Sequence, residues 1–263
     1  TSPLVTQELR EHMCSMAVDL ALRVGYVGAG TLEFIVDAER NPYLLDMNTR
    51  LQFLHSVTEE VKGVDLVNAK FLFARGEALP YRQEDLVQRG HAIECRVYAA
   101  DPDAGFMPSP GRILALRTPE GPGVRDDSGV YAGWDVPVHY DPLISKLGVR
   151  AEDRDEVIRR MRRAVSEYTV VGIETTLPFF ERVLRHPAFV SGDIDTSFIE
   201  TVFADEETTE ARGRDFEVAV AAAAIQALRD RQAARRHLST DGAGRSPWFE
   251  AGLREAHGRR RGG

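Results

Sequence analysis

The chain has 263 residues and a mass of 29.3 kDa, and its 43% hydrophobic and 28% charged residues suit a globular protein with a sizeable core. A formal net charge of −8 argues against general nucleic-acid binding, and no run of about 18 uncharged apolar residues predicts a membrane span. Residues 1–25 lack a signal-peptide pattern and Cys14 and Cys95 lie far apart, so we expect a cytoplasmic protein with neither a disulfide framework nor a cysteine metal site.

The first 85 residues predict a helix, a β-hairpin and a second helix. Apolar residues recur at helical spacing from Leu9 to Val24, with Thr6 as the N-cap and Gly25 as the end. Residues 31–36 are rich in β-formers, and a turn-like segment at residues 37–42 leads into a second strand, which predicts a hairpin. Helical spacing returns at residues 61–74, and Gly76 ends that helix.

Residues 88–203 mix short strands with helices, so this region predicts an α+β fold. Glycine and proline separate strand-like runs at residues 91–98, 111–117, 129–131 and 145–149. Helical spacing follows Glu152, and shorter helices fit residues 176–184 and 196–202. The apolar stripe of the longer helix consists of Val157, Ile158, Met161, Ala164, Val165 and Tyr168.

The composition changes again after residue 203. Residues 216–238 are rich in alanine and arginine and predict a helix, and the arginine run at residues 259–261 is expected to be a solvated terminus. The chain therefore divides into residues 1–85, residues 88–203, and a helical, arginine-rich tail at residues 204–263.

Polar side chains alternate along the second strand of the predicted hairpin. If residues 43–55 are extended, one face carries Asp46, Asn48, Arg50 and Gln52, because alternate side chains of a strand share a face. An acid, an amide, a cation and another amide along one face are able to hold a metal ion beside a small oxyanion. The alternative is a half-exposed antiparallel sheet whose polar face meets water.

The register of the hairpin brings two acids together. If Asp37 pairs with Pro42, Glu33 lies opposite Asp46, and opposed Cβ atoms are roughly 5 Å apart. Two ionised carboxylates at that distance repel unless a cation lies between them, and Mg²⁺ takes carboxylate oxygens together with phosphates. Asn48 would supply a third oxygen.

Several sequence strings resemble the biotin carboxylases, the ATP-grasp enzymes of acetyl-CoA carboxylase and related biotin-dependent carboxylases. They are GAGTLEF at residues 28–34, DMNTRLQ at 46–52, GHAIECR at 90–96, PSPG at 108–111 and YDPLISKL at 140–147. The resemblance covers about residues 3–203. It implies that residues 1–85 are the C-terminal part of an ATP-grasp domain and residues 88–203 the biotin carboxylase C-terminal domain, an antiparallel sheet with packed helices.

The resemblance also implies a reaction and its partners. Bicarbonate is activated with ATP and Mg²⁺ or Mn²⁺, and the carboxyl group passes to biotin on a biotin carboxyl carrier protein. A carboxyltransferase then uses the carboxylated biotin, and the full-length enzyme is a homodimer. No nucleic acid or membrane takes part.

Individual residues match the positions of the family's functional groups. Glu33 and Asp46 match the two metal-binding carboxylates, and Asn48 a third metal-site residue. The resemblance assigns bicarbonate binding to Arg50 and Gln52, catalysis to Arg50 and Arg96, and a place near the dimer interface to Arg125. An arginine suits an oxyanion because its planar fork grips two oxygens, and Arg96 would stabilise the biotin enolate.

The sequence departs from the family around the anion-binding loop. Leu54 stands where the family has a glutamate proposed as the general base, and by alternation it lies on the polar face. Asp46 replaces a glutamate, Phe53 a valine and Ser56 a proline. General-base help is worth roughly 10²- to 10⁴-fold in rate, so we expect Leu54 to lower turnover at least that much.

A glycine-rich phosphate loop is missing from the 263 residues, and the three lysines lie outside any matching motif. We therefore expect the chain to be the C-terminal half of a biotin carboxylase that is inactive by itself. One alternative is a non-catalytic assembly or dimerisation subunit with a decayed site. Another is a sequence error confined to the residues around Leu54.

Overall fold

The computed structural model describes residues 4–203, and residues up to Ile199 form one compact unit. Its elements are, in chain order, α1 (Gln7–Arg23), β1 (Thr31–Val36), β2 (Pro42–Asn48), α2 (His55–Lys62), α3 (Leu66–Ala74), β3 (His91–Tyr98), β4 (Ala100–Asp101), β5 (Met107–Pro108), β6 (Gly111–Arg112), β7 (Ala115–Arg117), β8 (Val124–Ser128), β9 (Asp135–Val136), β10 (Leu143–Ala151), α4 (Arg154–Glu167), β11 (Thr169–Val171), α5 (Leu177–Val183), α6 (Pro187–Ser191) and α7 (Phe198–Phe203). Single 3₁₀ turns lie at Gln83–Asp85 and Pro102–Ala104. The helix predicted at residues 216–238 and the rest of the tail lie outside the described residues.

Helix α1 begins where the sequence predicts, whereas the prediction of the next helix, at residues 61–74, was wrong in part. The Thr6 side chain accepts a hydrogen bond from the Leu9 amide and caps α1. The single helix predicted at residues 61–74 is two helices, α2 and α3. Gly63 ends α2 in the left-handed region at φ 68°, and the Asp65 carboxylate then caps α3. Within residues 4–203, no helix is both long and apolar enough to cross a membrane.

The C-terminal region is built on a three-stranded antiparallel sheet in the order β3-β10-β8. Its central strand, β10, is flanked on both edges, and α4 packs against β10 and β3. The predicted stripe of α4 is buried as expected. Sheet and helix therefore form the core, whose fully buried side chains include Val97, Ile113, Leu147, Val149, Val157 and Met161.

Two strand predictions in this region were wrong. The run at residues 111–117 is two strands, because β6 pairs with β9 whereas β7 pairs with β11. The strand predicted at residues 129–131 is absent. Residues 131–134 turn there, with Gly133 at φ 96°, and the strand is instead β8, whose charged residues 125–127 hid it. The mixed helices and antiparallel strands still make the α+β class that the sequence predicts.

The hairpin reaches its predicted pairing by another route. Val36, not Asp37, pairs with Pro42, so the register near the turn differs by one residue from the prediction. A β-bulge between Glu33 and Phe34 then shifts the register, and Leu45 is the extra residue on β2. Glu33 consequently faces Asp46, and Thr31 faces Asn48 in the same register.

Candidate functional site

Three predicted metal-site residues form one hydrogen-bonded cluster on the hairpin. Glu33 on β1 faces Asp46 on β2, and Asn48 lies two residues further along β2. The Asn48 Nδ2 group donates to Glu33 Oε1 at 3.0 Å and to Asp46 Oδ2 at 3.1 Å. One amide nitrogen thus bridges two carboxylates that carry like charge.

The donor set of this cluster fits a hard divalent cation. Carboxylate and amide oxygens are the ligands that Mg²⁺ takes, and Mg²⁺ keeps several other positions for water and phosphate oxygens. No three His, Cys, Asp or Glu side chains gather in a metal-binding group among residues 4–203, so this site would use two carboxylates and one amide. Asp46 also accepts a hydrogen bond from the Met47 amide at 2.7 Å, which fixes its short side chain.

The predicted anion-binding residues, Arg50 and Gln52, lie in a loop rather than on a strand. Because β2 ends at Asn48, the expected alternation of faces through residues 50–54 was wrong. The loop nevertheless borders a cleft of about 890 Å³. The cleft is lined by Thr31, Leu32, Glu33, Arg50, Leu51, Gln52, Phe53, Leu54, His55 and Arg96.

Arg50 and Gln52 differ in how they are held. Gln52 Nε2 donates to Glu33 Oε1 at 3.2 Å, which links the cleft to the metal-site cluster. The Gln52 carbonyl oxygen also lies 2.7 Å from Nδ1 of His55, the first residue of α2. Arg50 is exposed, and no described carboxylate forms an ion pair with it. Its guanidinium is therefore available for an anion in the cleft.

Arg96 enters the cleft from β3. Its Nε lies 3.6 Å from Oε1 of Glu94, and its Cζ lies 5.3 Å from the centre of the Phe53 ring. The Arg96 side chain is 36% exposed, whereas that of Glu94 is 3% exposed. The structure therefore brings Arg50, Gln52 and Arg96 to one cleft.

Leu54 lines the same cleft and is 49% exposed. It stands directly before α2 in helical backbone geometry and makes no side-chain cap. Its place beside the cleft agrees with the expectation, although the alternation used to derive it does not hold. An apolar side chain without a titratable group therefore occupies this part of the wall.

Arg125 lies on β8 and is engaged within the chain. Its guanidinium contacts Glu59 of α2 at 2.8 Å and Asp127 at 2.9 Å. The hydrogen bond to Asp127 raises the pKa of Arg125, with Glu59 adding to the effect and partial burial opposing it. Arg125 does not line the cleft.

Sequence reasoning missed Glu94 as a partner of Arg96. Both residues lie on β3 two positions apart, so strand alternation places them on one face. This two-residue spacing is the sequence signal from which the pairing of Glu94 with Arg96 could have been predicted. The hydroxyl of Ser56 on α2 donates to Glu94 Oε2, and this contact joins residues 38 positions apart in the chain. No local sequence pattern indicates that contact.

Comparisons with known proteins identify relatives of this chain. Residues 94–201 match the family described as "Biotin carboxylase C-terminal domain", and residues 1–82 match "Carbamoyl-phosphate synthase L chain, ATP binding domain". The chain is 48% identical over 201 residues to biotin carboxylase 1 of Bacillus subtilis, and 47% identical over 199 residues to the biotin carboxylase of a Nostoc species.

Solved structures show the same likeness. The biotin carboxylase domain dimer of the Hydrogenobacter thermophilus 2-oxoglutarate carboxylase, in complex with MgADP, ADP and bicarbonate, has a TM-score of 0.74 and 40% sequence identity over 76% of this chain and 44% of that one. Each of the two relatives above is matched over 76% of this chain, which spans 45% and 44% of their respective lengths. The chain is therefore similar to biotin carboxylases over about three quarters of its own length, and it spans less than half the length of these relatives.

Proposed function

We propose that this chain is part of a biotin carboxylase, a ligase that uses ATP and bicarbonate to carboxylate biotin on a carrier protein. The observation that carries the proposal is the convergence of Arg50, Gln52 and Arg96 on one cleft that is also lined by Glu33, which faces the second carboxylate, Asp46. In this proposal residues 1–85 complete an ATP-grasp domain, and residues 88–203 form the C-terminal domain that carries Arg96.

The cleft residues divide the work by their chemistry. The Arg50 guanidinium binds bicarbonate through two parallel hydrogen bonds, and the Gln52 amide orients it. Arg96 stabilises the negative charge that develops on biotin in the transition state. Since Leu54 accepts no proton, proton transfer depends on another group or on solvent, and we expect slow turnover.

A divalent cation would be held by Glu33, Asp46 and Asn48. When bound, Mg²⁺ or Mn²⁺ supplies positive charge that neutralises the phosphates of the substrate ATP. In the structure, the Asn48 amide relieves the repulsion between the two carboxylates. To contribute to such a site, Asn48 would present its amide oxygen instead of its nitrogen.

The proposal includes the partners of such an enzyme. A biotin carboxyl carrier protein delivers biotin, and a carboxyltransferase consumes the product. A homodimer is supported by the solved domain dimer at 40% identity. Arg125, on β8, would lie near the dimer interface, and we place the enzyme in the cytoplasm.

Bicarbonate binding to the full chain tests the proposal. Titration of ¹³C-labelled bicarbonate, followed by NMR, should give saturable binding that Arg50→Ala reduces at least about tenfold, because a charge-assisted bidentate contact is lost. Arg75→Ala is the matched control, since Arg75 is exposed and pairs with Glu77 away from the cleft. Equal binding by the wild type, Arg50→Ala and Gln52→Ala would refute the bicarbonate site.

Leu54 favours a second candidate, a non-catalytic assembly subunit that keeps the fold and has lost turnover. The discriminating experiment joins this chain to the N-terminal part of the Bacillus subtilis relative and measures biotin-dependent ADP release. For a damaged enzyme, Leu54→Glu should raise the rate by roughly 10²- to 10⁴-fold. For an assembly subunit the rate stays at the blank level in both chains, while sedimentation still shows the dimer.

A further inference from the structure

We infer that Glu94, Ser56 and Phe53 are positioning residues that hold the Arg96 guanidinium at the cleft; these three side chains are called the Arg96 clamp below. The inference rests on the proposed function for the role of Arg96 in catalysis. The geometry of the clamp itself stands independently of that role.

Glu94 anchors the clamp from within the sheet. Its side chain is 3% exposed, and its Oε1 atom has no hydrogen-bond partner within the described part of the chain. The nearest cationic atom is Arg96 Nε, 3.6 Å away. A buried carboxylate requires a compensating cation, so Glu94 strongly favours the arginine rotamers that keep Nε close.

Ser56 fixes the other oxygen of Glu94. The Ser56 hydroxyl is buried in α2 and donates to Glu94 Oε2, which leaves Oε1 for Arg96. A carboxylate held at one oxygen loses the freedom to turn the other away from its cation. Ser56 therefore acts on Arg96 through Glu94.

Phe53 restrains the guanidinium from the loop. The Arg96 Cζ atom lies 5.3 Å from the centre of the Phe53 ring, within the range of cation–π attraction. The ring is 44% exposed and lines the cleft, so it covers part of the guanidinium while the remainder stays accessible. Glu94 and Phe53 thus hold one cation through two different attractions.

The two members of the clamp that lie outside β3, Phe53 and Ser56, come from one turn of the chain. Ser56 follows Phe53 by three residues, and its hydroxyl also lies 3.5 Å from the Phe53 carbonyl oxygen. The same segment follows Arg50 and Gln52 directly. The clamp consequently ties the loop that carries the anion-binding residues to the strand that carries Arg96.

The clamp also accounts for two unusual positions together. Phe53 and Ser56 both differ from the family strings, and both contact the same acid–base pair on β3. Both of these departures from the family strings therefore lie within the clamp.

The mobility of the Arg96 side chain tests the clamp. In the full chain, ¹⁵N relaxation of the Arg96 Nε–H group, assigned with Arg96→Lys, should show a rigid group with an order parameter of about 0.8. Ser56→Ala and Phe53→Val should each lower it toward about 0.6 or below. Ser56→Thr keeps a hydroxyl and should restore the wild-type value.

Two variants serve as matched controls. Ser166→Ala removes an exposed helical hydroxyl bound to a carbonyl oxygen, and Phe73→Val truncates a ring of similar exposure on α3. Both should leave the Arg96 order parameter unchanged. An unchanged value in Ser56→Ala and Phe53→Val as well would overturn the clamp, whatever the activity.

The two proposals fail in distinguishable ways. If the clamp variants loosen Arg96 but Arg96→Lys has no effect on biotin carboxylation in the joined chain described above, the clamp stands and the proposed role of Arg96 falls. If both hold, Ser56→Ala should lower kcat with little change in the KM for bicarbonate, because Arg50 and Gln52 are untouched. Glu94→Gln should behave like Ser56→Ala, since it removes the charge that attracts Arg96.

Discussion

The contact between Glu59 and Arg125 gives the sharpest test of how the two parts of the fold are joined. Glu59 is nearly buried, with a side chain that is 9% exposed, and its Oε1 accepts the Leu66 amide at 2.8 Å. Its Oε2 contacts Arg125 Nη1 at 2.8 Å. A single carboxylate therefore joins α2, the start of α3 and β8.

Arg125→Ala should destabilise the chain by about 2 kcal/mol. Removal of one partner of a fully buried ion pair costs about 3–5 kcal/mol, because the other charge is left uncompensated. Arg125 is 33% exposed, so water reaches the vacated position and reduces the cost toward the 1–3 kcal/mol range of a lost charged hydrogen bond. In a Glu59→Gln background the same substitution should cost less, about 1 kcal/mol, since only the partly exposed contact with Asp127 is then lost.

Urea unfolding at pH 7 measures these differences as shifts of the midpoint at constant m-value. Arg75→Ala, which removes an exposed pair with Glu77, should change the free energy of unfolding by less than about 0.5 kcal/mol. If Arg125→Ala costs the same with Glu59 and with Gln at that position, the coupling is absent and the reasoning fails. A role of Arg125 in a dimer would add a dependence of the midpoint on protein concentration.

Three further predictions concern residues on or next to β3 and α4. Burial, aided by the Glu94 charge, raises the pKa of Cys95 from 9.0 to about 12, so the stability that the buried thiol contributes below pH 9 is lost as the pH rises toward 12. Between pH 8 and 10 the free energy of unfolding should therefore fall by about 1 kcal/mol in the wild type. Urea unfolding should show that Cys95→Ala removes this fall and that Cys14→Ala does not. Gly90→Ala should cost about 2–5 kcal/mol, against about 1–2 for Gly76→Ala, because both have positive φ but only Gly90 faces a backbone carbonyl. Met161→Ala, at a fully buried site, should lower the free energy of unfolding by about 2–5 kcal/mol, measured in the same way.

Elements with a strong local signal were predictable from the sequence. The apolar stripe of α4 and the cap at Thr6 depend only on neighbours within a few residues, and both are confirmed. β1 and β3 have the predicted bounds, because β-forming residues predominate in β1 and Gly90 marks the start of β3. The class of fold follows from these elements.

Elements that depend on distant partners were not predictable. β8 is rich in charge, and its residues are stable in a strand because Arg125 and Lys146 neutralise Asp127. The segment at residues 111–117 is divided because its two halves pair with different strands. The site shows the same limit, since the facing of Glu33 and Asp46 depends on a bulge that local propensity does not reveal.

The charges of the side chains that line the cleft should affect anion binding and turnover in opposite directions. Among the described residues that line it, Arg50 and Arg96 carry positive charge and Glu33 is the only carboxylate. A second carboxylate at position 54 would repel a bound anion by about 1–2 kcal/mol at an effective dielectric constant of about 20–40. Leu54→Glu should therefore weaken bicarbonate binding roughly 5- to 30-fold, even if it speeds proton transfer.

Titration of bicarbonate at low ionic strength measures this effect, since salt screens it. Leu79→Glu is the control, because Leu79 has similar exposure and lies outside the residues that line the cleft. Equal or tighter binding by Leu54→Glu would show that the anion does not lie beside Arg50 and Leu54. Weaker binding together with faster turnover in the joined chain would mean that leucine at this position favours retention of the anion over its reaction.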